Sequence, residues 1–147
     1  MLTVKTKYFN ELTTTELYNL LQLRSAVFVV EQKCVYQDID GKDKDALHVI
    51  GVKNNTIVAY TRIFKPGDYF NETSIGRVVV AQNERQHKYG YKIMTASIEA
   101  AKDIFNETKI KLSAQIYLKQ FYNNLGFIEK GEEYLEDGIP HIEMIKK

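Results

Sequence analysis

Cysteine, proline and tryptophan are scarce: the 147 residues include one cysteine, two prolines and no tryptophan. The single cysteine, Cys34, excludes an intrachain disulfide and is typical of a reducing compartment, so we expect a cytoplasmic protein. Long apolar runs are also missing, since none approaches the ~18 residues of a membrane-spanning helix, and the N-terminal residues lack the apolar core of a signal peptide. We therefore expect no membrane partner.

An excess of either charge is absent as well, because 20 Lys and Arg residues face 19 Asp and Glu residues, for a net charge of +1. Such a chain has no overall field to attract nucleic acid, so a site for an anion must be local. The sequence shows no cluster of metal-ligand residues, no repeat and no linker. We expect one domain over residues 1–147, without nucleic acid or a bound metal, as either a monomer or a homodimer.

The pattern of apolar and turn residues predicts strands and helices in an order that is not a regular βαβ alternation. Thr13 and Glu16 have the spacing of a capping box, which predicts a helix over residues 14–28. The acidic stretch 38–45 is expected to be a solvated loop. The predicted fold class is therefore a mixed α/β or α+β sheet. The other predicted elements are strands at 2–9, 46–53, 56–64, up to Val80, 109–113, 127–134 and 141–146, and helices around 93–101 and at 117–125.

Residues 75–101 contain the strongest functional pattern: a β-branched strand, a polar loop and a helix. The first N–H groups of a helix lack intrahelical partners and lie at the positive end of its dipole, so this order of elements presents a site for an anion. Gly90 would let a ligand approach the backbone, and Arg85, His87 and Lys88 add basic side chains. An ordinary surface loop is the alternative. The glycine patterns of dinucleotide-binding and P-loop proteins are absent.

Four motifs stand in register along the chain. The first is RQHKYG at residues 85–90, and the second is FYNNLGF at 121–127, with Gln115 seven residues before its tyrosine. The other two are RSAVFVVEQKCVYQDIDGKD at 24–43 and EDGIPHIEM at 136–144. Together they resemble the GCN5-related N-acetyltransferase (GNAT) superfamily, and more closely its ElaA-like branch. The sequence departs from the superfamily signature at Lys88, which stands in place of the first glycine.

The resemblance implies an acetyl-CoA enzyme on a central, splayed, mostly antiparallel sheet flanked by helices. It implies that the backbone N–H groups at the start of the helix bind the pyrophosphate of CoA, and that Tyr122 protonates the departing thiolate. A positive φ at Lys88 would cost roughly 1 kcal/mol, and we expect an ordinary helical φ there instead. The CoA-binding residues that the resemblance implies are Val78, Val79, Val80, Arg85, Gln86, His87, Lys88, Tyr89, Gly90, Gln115 and Tyr122.

The general base that must deprotonate the acceptor amine is open between Glu31, His48, His141 and a chain of water molecules. Glu31 lies in the segment that resembles the acceptor side of the family. A histidine is also often a packed or solvent-exposed residue and not a base. The residues predicted to bind the acceptor are Glu31, Gln32, Tyr36, His48, Arg77 and His141.

Several other polar residues of the chain have two interpretations each. Asp38 and Asp40 are candidates for holding a cationic substrate, as an alternative to a solvated loop. Arg62 and Arg77 are candidates for pairing with Glu31 or with a carboxylate of the substrate, although a structural role is the simpler interpretation. Cys34 is expected to be a small buried residue.

The function that the resemblance implies is transfer of an acetyl group from acetyl-CoA to an amine, by direct attack in a ternary complex. The alternatives are a non-catalytic acyl-CoA-binding module that senses or scaffolds, and a general binder of nucleotide phosphates. Tyr122 within FYNNLGF favours the enzyme, and the strand at 78–80 favours CoA over a nucleotide. The acceptor is open among polyamines, amino acids, antibiotics, peptide N-termini and protein lysines.

Overall fold

The centre of the fold is a seven-stranded sheet in the computed structural model, which describes residues 1–147. The strands are β1 (Thr3–Tyr8), β2 (Leu47–Lys53), β3 (Thr56–Phe64), β4 (Thr73–Val80), β5 (Ile110–Gln115), β6 (Ile128–Glu136) and β7 (Ile139–Lys146). They lie in the order β1-β2-β3-β4-β5-β7-β6, and every neighbouring pair is antiparallel except β4 and β5. This arrangement confirms the predicted mixed and mostly antiparallel sheet.

The α-helices are α1 (Thr14–Arg24), α2 (Tyr89–Phe105) and α3 (Lys119–Asn124). The predicted capping box of α1 is confirmed, since Thr13 and Glu16 each accept a hydrogen bond from the other's backbone N–H. The predicted end at residue 28 was wrong, because the chain continues from Ser25 to Glu31 as a π-helix, a form that is frequent near functional sites. No helix is both long and apolar enough to span a membrane. Short 3-10 helices occur at Phe9–Glu11, Asp43–Asp45, Gln82–His87 and Ile116–Leu118.

Helices α1 and α2 lie on opposite faces of the sheet, because successive residues of a strand point to opposite faces. On β2, Val49 belongs to the larger core, which includes Met94 of α2. The next residue, Ile50, belongs to a smaller core with Leu20 and Leu23 of α1. The sheet therefore separates two packed layers. Because both faces are covered, a ligand can reach the middle of the sheet only where two neighbouring strands separate.

Strands β4 and β5 part soon after they meet. They pair at only two positions of β4, Thr73 and Ser74. On its other side β4 pairs with β3, but the register shifts opposite Arg77, whose φ is 52°. Such a bulge bends its strand, so β4 turns away from β5. The edge of β4 over residues 75–80 consequently has no strand beside it on the β5 side.

The loop between α1 and β2 supplies three aspartates to a buried ionic ring with three arginines. The prediction of a solvated loop was therefore wrong: Asp38 and Asp43 are each 6% exposed, and Arg24 is 0% exposed. Arg24 and Arg62 bind the same carboxylate oxygen of Asp43, at 2.7 and 2.9 Å. We call this set the Arg–Asp ring. Contacts of 2.6–3.5 Å join its members in the closed order Arg24, Asp38, Arg77, Asp40, Arg62 and Asp43.

The Arg–Asp ring ties the bulge of β4 to α1. Arg77 Nε lies 2.7 Å from one carboxylate oxygen of Asp38, and Arg24 Nε lies 2.9 Å from the other. Burial alone would raise the pKa of Asp43, but hydrogen bonds from Arg24 and Arg62 outweigh it and hold the pKa below its ordinary value. The carboxylate therefore stays charged, and three positive charges balance three negative ones.

Asp43→Asn is expected to lower the free energy of unfolding by about 3–5 kcal/mol, the usual effect of leaving a buried charge unpaired. Because the folded-state pKa of Asp43 is depressed, its contribution is complete above the ordinary carboxyl pKa and is lost as the pH falls through the lower folded value. Chemical denaturation at neutral pH measures the change. Asp45→Asn is the control, because Asp45 is exposed in the same 3-10 helix. Equal losses in the two variants would contradict a structural role for the ring.

Candidate active site

A cavity of about 400 Å³ lies beside the unpaired edge of β4. Its walls also include the start of α2, the π-helix that follows α1, and α3. The volume falls within the ~300–1,000 Å³ that is usual for small-molecule sites. We call it the large cavity. Eight of the residues predicted to bind CoA line it: Val78, Val79, Val80, Arg85, Lys88, Gly90, Gln115 and Tyr122.

The other three predicted CoA-binding residues have side chains that do not line the large cavity. Gln86 and His87 are exposed on the 3-10 helix before α2. Tyr89 is 5% exposed, and the ammonium groups of Lys53 and Lys92 lie 5.9 and 5.8 Å from the centre of its ring. Tyr89 is therefore left with its backbone groups for a ligand, whereas the exposed side chains of Gln86 and His87 lie outside the cavity.

The loop between β4 and α2 turns at Lys88, whose φ of 59° and ψ of 31° are left-handed. The prediction of an ordinary helical φ was wrong. The preceding 3-10 helix is right-handed, and a right-handed residue followed by a left-handed one directs consecutive N–H groups to one side. This geometry suits an anion. Lys88, which stands where the resembled signature has glycine, thus adopts a conformation that glycine would adopt without a Cβ penalty.

Gly90 has a packing role that the sequence did not reveal. A Cβ atom there would lie 3.2 Å from Cε1 and 3.3 Å from Cζ of Phe121. The missing side chain therefore lets the first turn of α2 approach α3 closely. Gly90 also lines the large cavity, so the predicted approach of a ligand to its backbone stays open beside this packing role.

Glu31 lies in the large cavity and is paired with Arg85. Its two carboxylate oxygens accept hydrogen bonds of 2.5 and 2.8 Å from the Arg85 guanidinium. These hydrogen bonds lower the pKa of Glu31 and raise that of Arg85. Both roles of Glu31 stay predictions: its side chain lines the same cavity as Arg85 and Lys88, and a carboxylate bound at both oxygens is a poor base while that ion pair holds.

A second cavity of about 100 Å³ adjoins the large one on the side of β6 and β7. We call it the small cavity. The structure brings four of the predicted acceptor residues together there, namely Gln32, Tyr36, Arg77 and His141. Cys34 also lines it; the residue is 8% exposed, as expected of a buried cysteine, and its thiol donates to the Asp137 carbonyl oxygen at 3.2 Å.

Tyr122 lies at the junction of the two cavities and lines both. It is 5% exposed and packs against Phe121 and Phe127, with ring centroids 5.0 and 6.1 Å away. Burial raises its pKa, and the neighbouring Tyr117 adds to the effect. The phenol is therefore neutral at physiological pH and can donate a hydrogen bond to a group at the junction.

The two candidate histidines have opposite surroundings. His48 is 0% exposed, with Nδ1 2.6 Å from the Tyr60 hydroxyl and Nε2 2.9 Å from the Asp43 carbonyl oxygen, and its burial lowers its pKa. Its predicted role in the site was wrong, since neither nitrogen can reach a substrate. His141 lines the small cavity, and its Nδ1 donates to the Ile139 carbonyl oxygen at 2.7 Å. The Nε2 lone pair of His141 is therefore left to accept a proton.

The candidate roles of the charged residues around the small cavity also change. Arg62 and Arg77 pair with Asp40 and Asp38 in the Arg–Asp ring and not with Glu31, so none of these four charges is free for a substrate. Sequence reasoning missed Glu136, which lines the small cavity with its side chain 48% exposed. The only feature of the sequence that pointed to Glu136 was its position at the start of the EDGIPHIEM motif.

The sequence and the structure both match known proteins. The profile of the Acetyltransferase (GNAT) domain matches residues 13–147. Protein ElaA of Escherichia coli strain K12 is 46% identical over 142 residues, which are 95% of this chain and 93% of that protein. The crystal structure of Escherichia coli ElaA has a TM-score of 0.93 at 44% identity, with 100% of both chains covered. A crystal structure of an acyl-CoA N-acyltransferase from Pseudomonas aeruginosa has the same TM-score and coverage at 41% identity.

Lys88→Gly is expected to raise the free energy of unfolding by roughly 1 kcal/mol, because glycine adopts a left-handed φ without a Cβ penalty. Thermal melting measures the change. Lys92→Gly is the matched control, since Lys92 is exposed within α2, where glycine costs about 1 kcal/mol. The two variants should shift the melting temperature in opposite directions. A lower melting temperature for Lys88→Gly would mean that Lys88 is not strained.

Proposed function

The chain belongs to the GNAT family of acetyltransferases, and we propose that it transfers an acetyl group from acetyl-CoA to the amine of an acceptor. The observation that carries the proposal is the unpaired edge of β4, which runs along the large cavity to Tyr122 and the small cavity. One substrate can lie along the edge while the other lies beyond Tyr122. The two would then meet in a ternary complex, and the acetyl group would pass directly between them.

The large cavity suits CoA in each part of that molecule. The pantetheine arm carries two amides, which can pair with the free backbone groups of β4 over residues 78–80, the part of the edge that lines the large cavity, as a further strand would. The pyrophosphate matches the N–H groups around the left-handed turn at Lys88. Arg85 and Lys88 line the same end and add two positive charges for the phosphates.

The chemistry requires a neutral amine and a stabilised leaving group. The amine nitrogen attacks the thioester carbonyl carbon, the new C–N bond forms as the C–S bond breaks, and the thiolate of CoA departs. The amine proton passes to Nε2 of His141, which lines the small cavity and whose Nδ1 donates to the Ile139 carbonyl oxygen. Tyr122 donates a hydrogen bond to the sulfur. Full proton transfer from Tyr122 is unfavourable, because its pKa is raised whereas that of a thiol is about 8.5.

Calorimetry with CoA, followed by a screen of amines with acetyl-CoA, tests the proposal. The screen measures free thiol as CoA is released. We expect CoA to bind, with an affinity that falls as salt is added, and at least one class of amine to be acetylated. Binding without turnover across the panel would favour the acyl-CoA sensor, and the absence of CoA binding would refute both functions.

Glu31→Gln is expected to tighten CoA binding by about two- to fivefold, because an exposed ion pair contributes roughly 0.2–1 kcal/mol and its loss frees Arg85 for the phosphates. Calorimetry with CoA measures the change. Glu99→Gln is the control, since it removes the same charge from an exposed position of α2. Weaker CoA binding by Glu31→Gln would mean that the ion pair helps to form the site.

Tyr122→Phe keeps the ring and its packing, so the free energy of unfolding should change by no more than about 0.5–1.5 kcal/mol. The value of kcat at saturating acetyl-CoA should fall by roughly ten- to a hundredfold. This loss is at or below the low end of the range of rate enhancements for general acid–base catalysis, because a thiolate leaves easily. KM should change little, because the hydroxyl acts on charge that develops at the sulfur. Tyr117→Phe is the control on the same wall. If Tyr122→Phe keeps the wild-type kcat, the Tyr122 hydroxyl does not assist the departure of the thiolate.

A further inference from the structure

The small cavity continues into a third cavity of about 80 Å³. Both are lined by Gly76, Arg77, Ser113 and Glu136, so the two spaces are neighbours along the face of the sheet opposite α2. We call the third cavity the distal chamber. Its far wall is aromatic and consists of Phe64, Tyr69 and Phe70. An acceptor longer than one amine group could therefore extend from Tyr122, through the small cavity, into the distal chamber.

Gly76 leaves the passage between the two spaces open. No atom lies within 4 Å of the position that a Cβ atom of Gly76 would occupy, in contrast to Gly90. Ser74 lies on the same face of β4, two residues earlier, and lines the distal chamber. It is 2% exposed, and its hydroxyl has no hydrogen-bond partner. A buried hydroxyl without a partner is unfavourable unless a ligand supplies one.

Among the residues that line this passage, the charges are negative where they are not already balanced; the Lys42 ammonium lies outside the lining, 5.7 Å from the centre of the Tyr69 ring. Arg62 and Arg77 belong to the Arg–Asp ring, and no lysine lines either space. Glu136 lines both spaces without a lysine or arginine partner; Ser113 Oγ donates to it at 3.3 Å, and His141 Nε2 lies 3.5 Å away. Asp137 also lines the small cavity, where its backbone carbonyl oxygen accepts from the Cys34 thiol. Lys111 lies outside the chamber wall, where its ammonium contacts the Phe70 ring and pairs with Glu143.

We propose that the acceptor is an elongated amine with a second positive charge, a diamine or polyamine. The proposal rests on the acetyl transfer proposed above. The reacting amine lies in the small cavity beside Tyr122, and the chain passes over Gly76. Glu136 then binds the second ammonium group with a charge-assisted hydrogen bond, and the Ser74 hydroxyl accepts another. The aromatic wall packs against the methylene groups of the chain.

Calorimetry with spermidine as the probe, on protein saturated with CoA, tests this acceptor class. We expect spermidine to bind, and to bind more tightly than either butylamine or glutamate. Glu136→Gln should weaken spermidine binding by about tenfold or more, the loss expected for one charge-assisted hydrogen bond. Glu132→Gln is the matched control, because Glu132 is exposed on the same strand.

Gly76→Leu should abolish spermidine binding by filling the passage, while CoA binding stays intact. The φ of Gly76 is not in the left-handed region, so a side chain is tolerated there, and Gly76→Ala is a milder variant if leucine disturbs the fold. The inference is overturned if spermidine does not bind, if glutamate binds more tightly, or if Glu136→Gln and Gly76→Ala both leave spermidine binding unchanged. CoA binding is measured separately, so its loss in the wild-type protein would refute the proposed function, whereas loss of spermidine binding alone would refute only the acceptor class.

Discussion

The shape of the molecule depends on one buried electrostatic constraint, the Arg–Asp ring. Its six side chains come from α1, from the loop before β2, and from the paired strands β3 and β4, so it ties the helix and the loop to the middle of the sheet. Arg77 is the member with a left-handed φ, and its contacts with Asp38 and Asp40 hold that residue in the bulge of β4. Without the bulge β4 could continue beside β5, and the large and small cavities would close. The ring is neutral and contributes to the site by geometry alone.

The site divides charge in a way that fits its two proposed ligands. Positive groups, Arg85 and Lys88, line the large cavity, where the phosphates of CoA would lie. A carboxylate without a lysine or arginine partner, that of Glu136, lines the small cavity on the other side of Tyr122. An anionic and a cationic substrate would thus approach the same tyrosine from opposite ends. The neutral phenol of Tyr122 lies between the positive end of the large cavity and the carboxylate of the small cavity. The acetyl transfer would take place beside this phenol.

The sequence predicted the elements that depend on the local pattern of residues. It did not predict features that depend on contacts between residues far apart in the chain. The capping box at Thr13, the hairpins and the valine strand of β4 follow from short-range periodicity, and the motifs placed the large cavity. Asp38 and Asp43 looked solvated because the arginines that pair with them lie at least 14 residues away along the chain. His48 and His141 each precede a β-branched residue in a strand, so only the fold shows that one is enclosed and the other faces a cavity. The φ of Lys88 follows from how the loop joins β4 to α2, which no side-chain preference would predict.

The unpaired edge of β4 has a consequence for the behaviour of the protein in solution. An open strand edge with three consecutive valines is the kind of surface to which strands of other molecules attach, the first step of aggregation. In this fold the edge lies in the middle of the sheet, at the floor of a cleft between the π-helix and α3, where other chains have little access. A ligand that pairs with the edge completes the sheet. Occupancy of the cleft would therefore add to the protection that its walls already give against self-association.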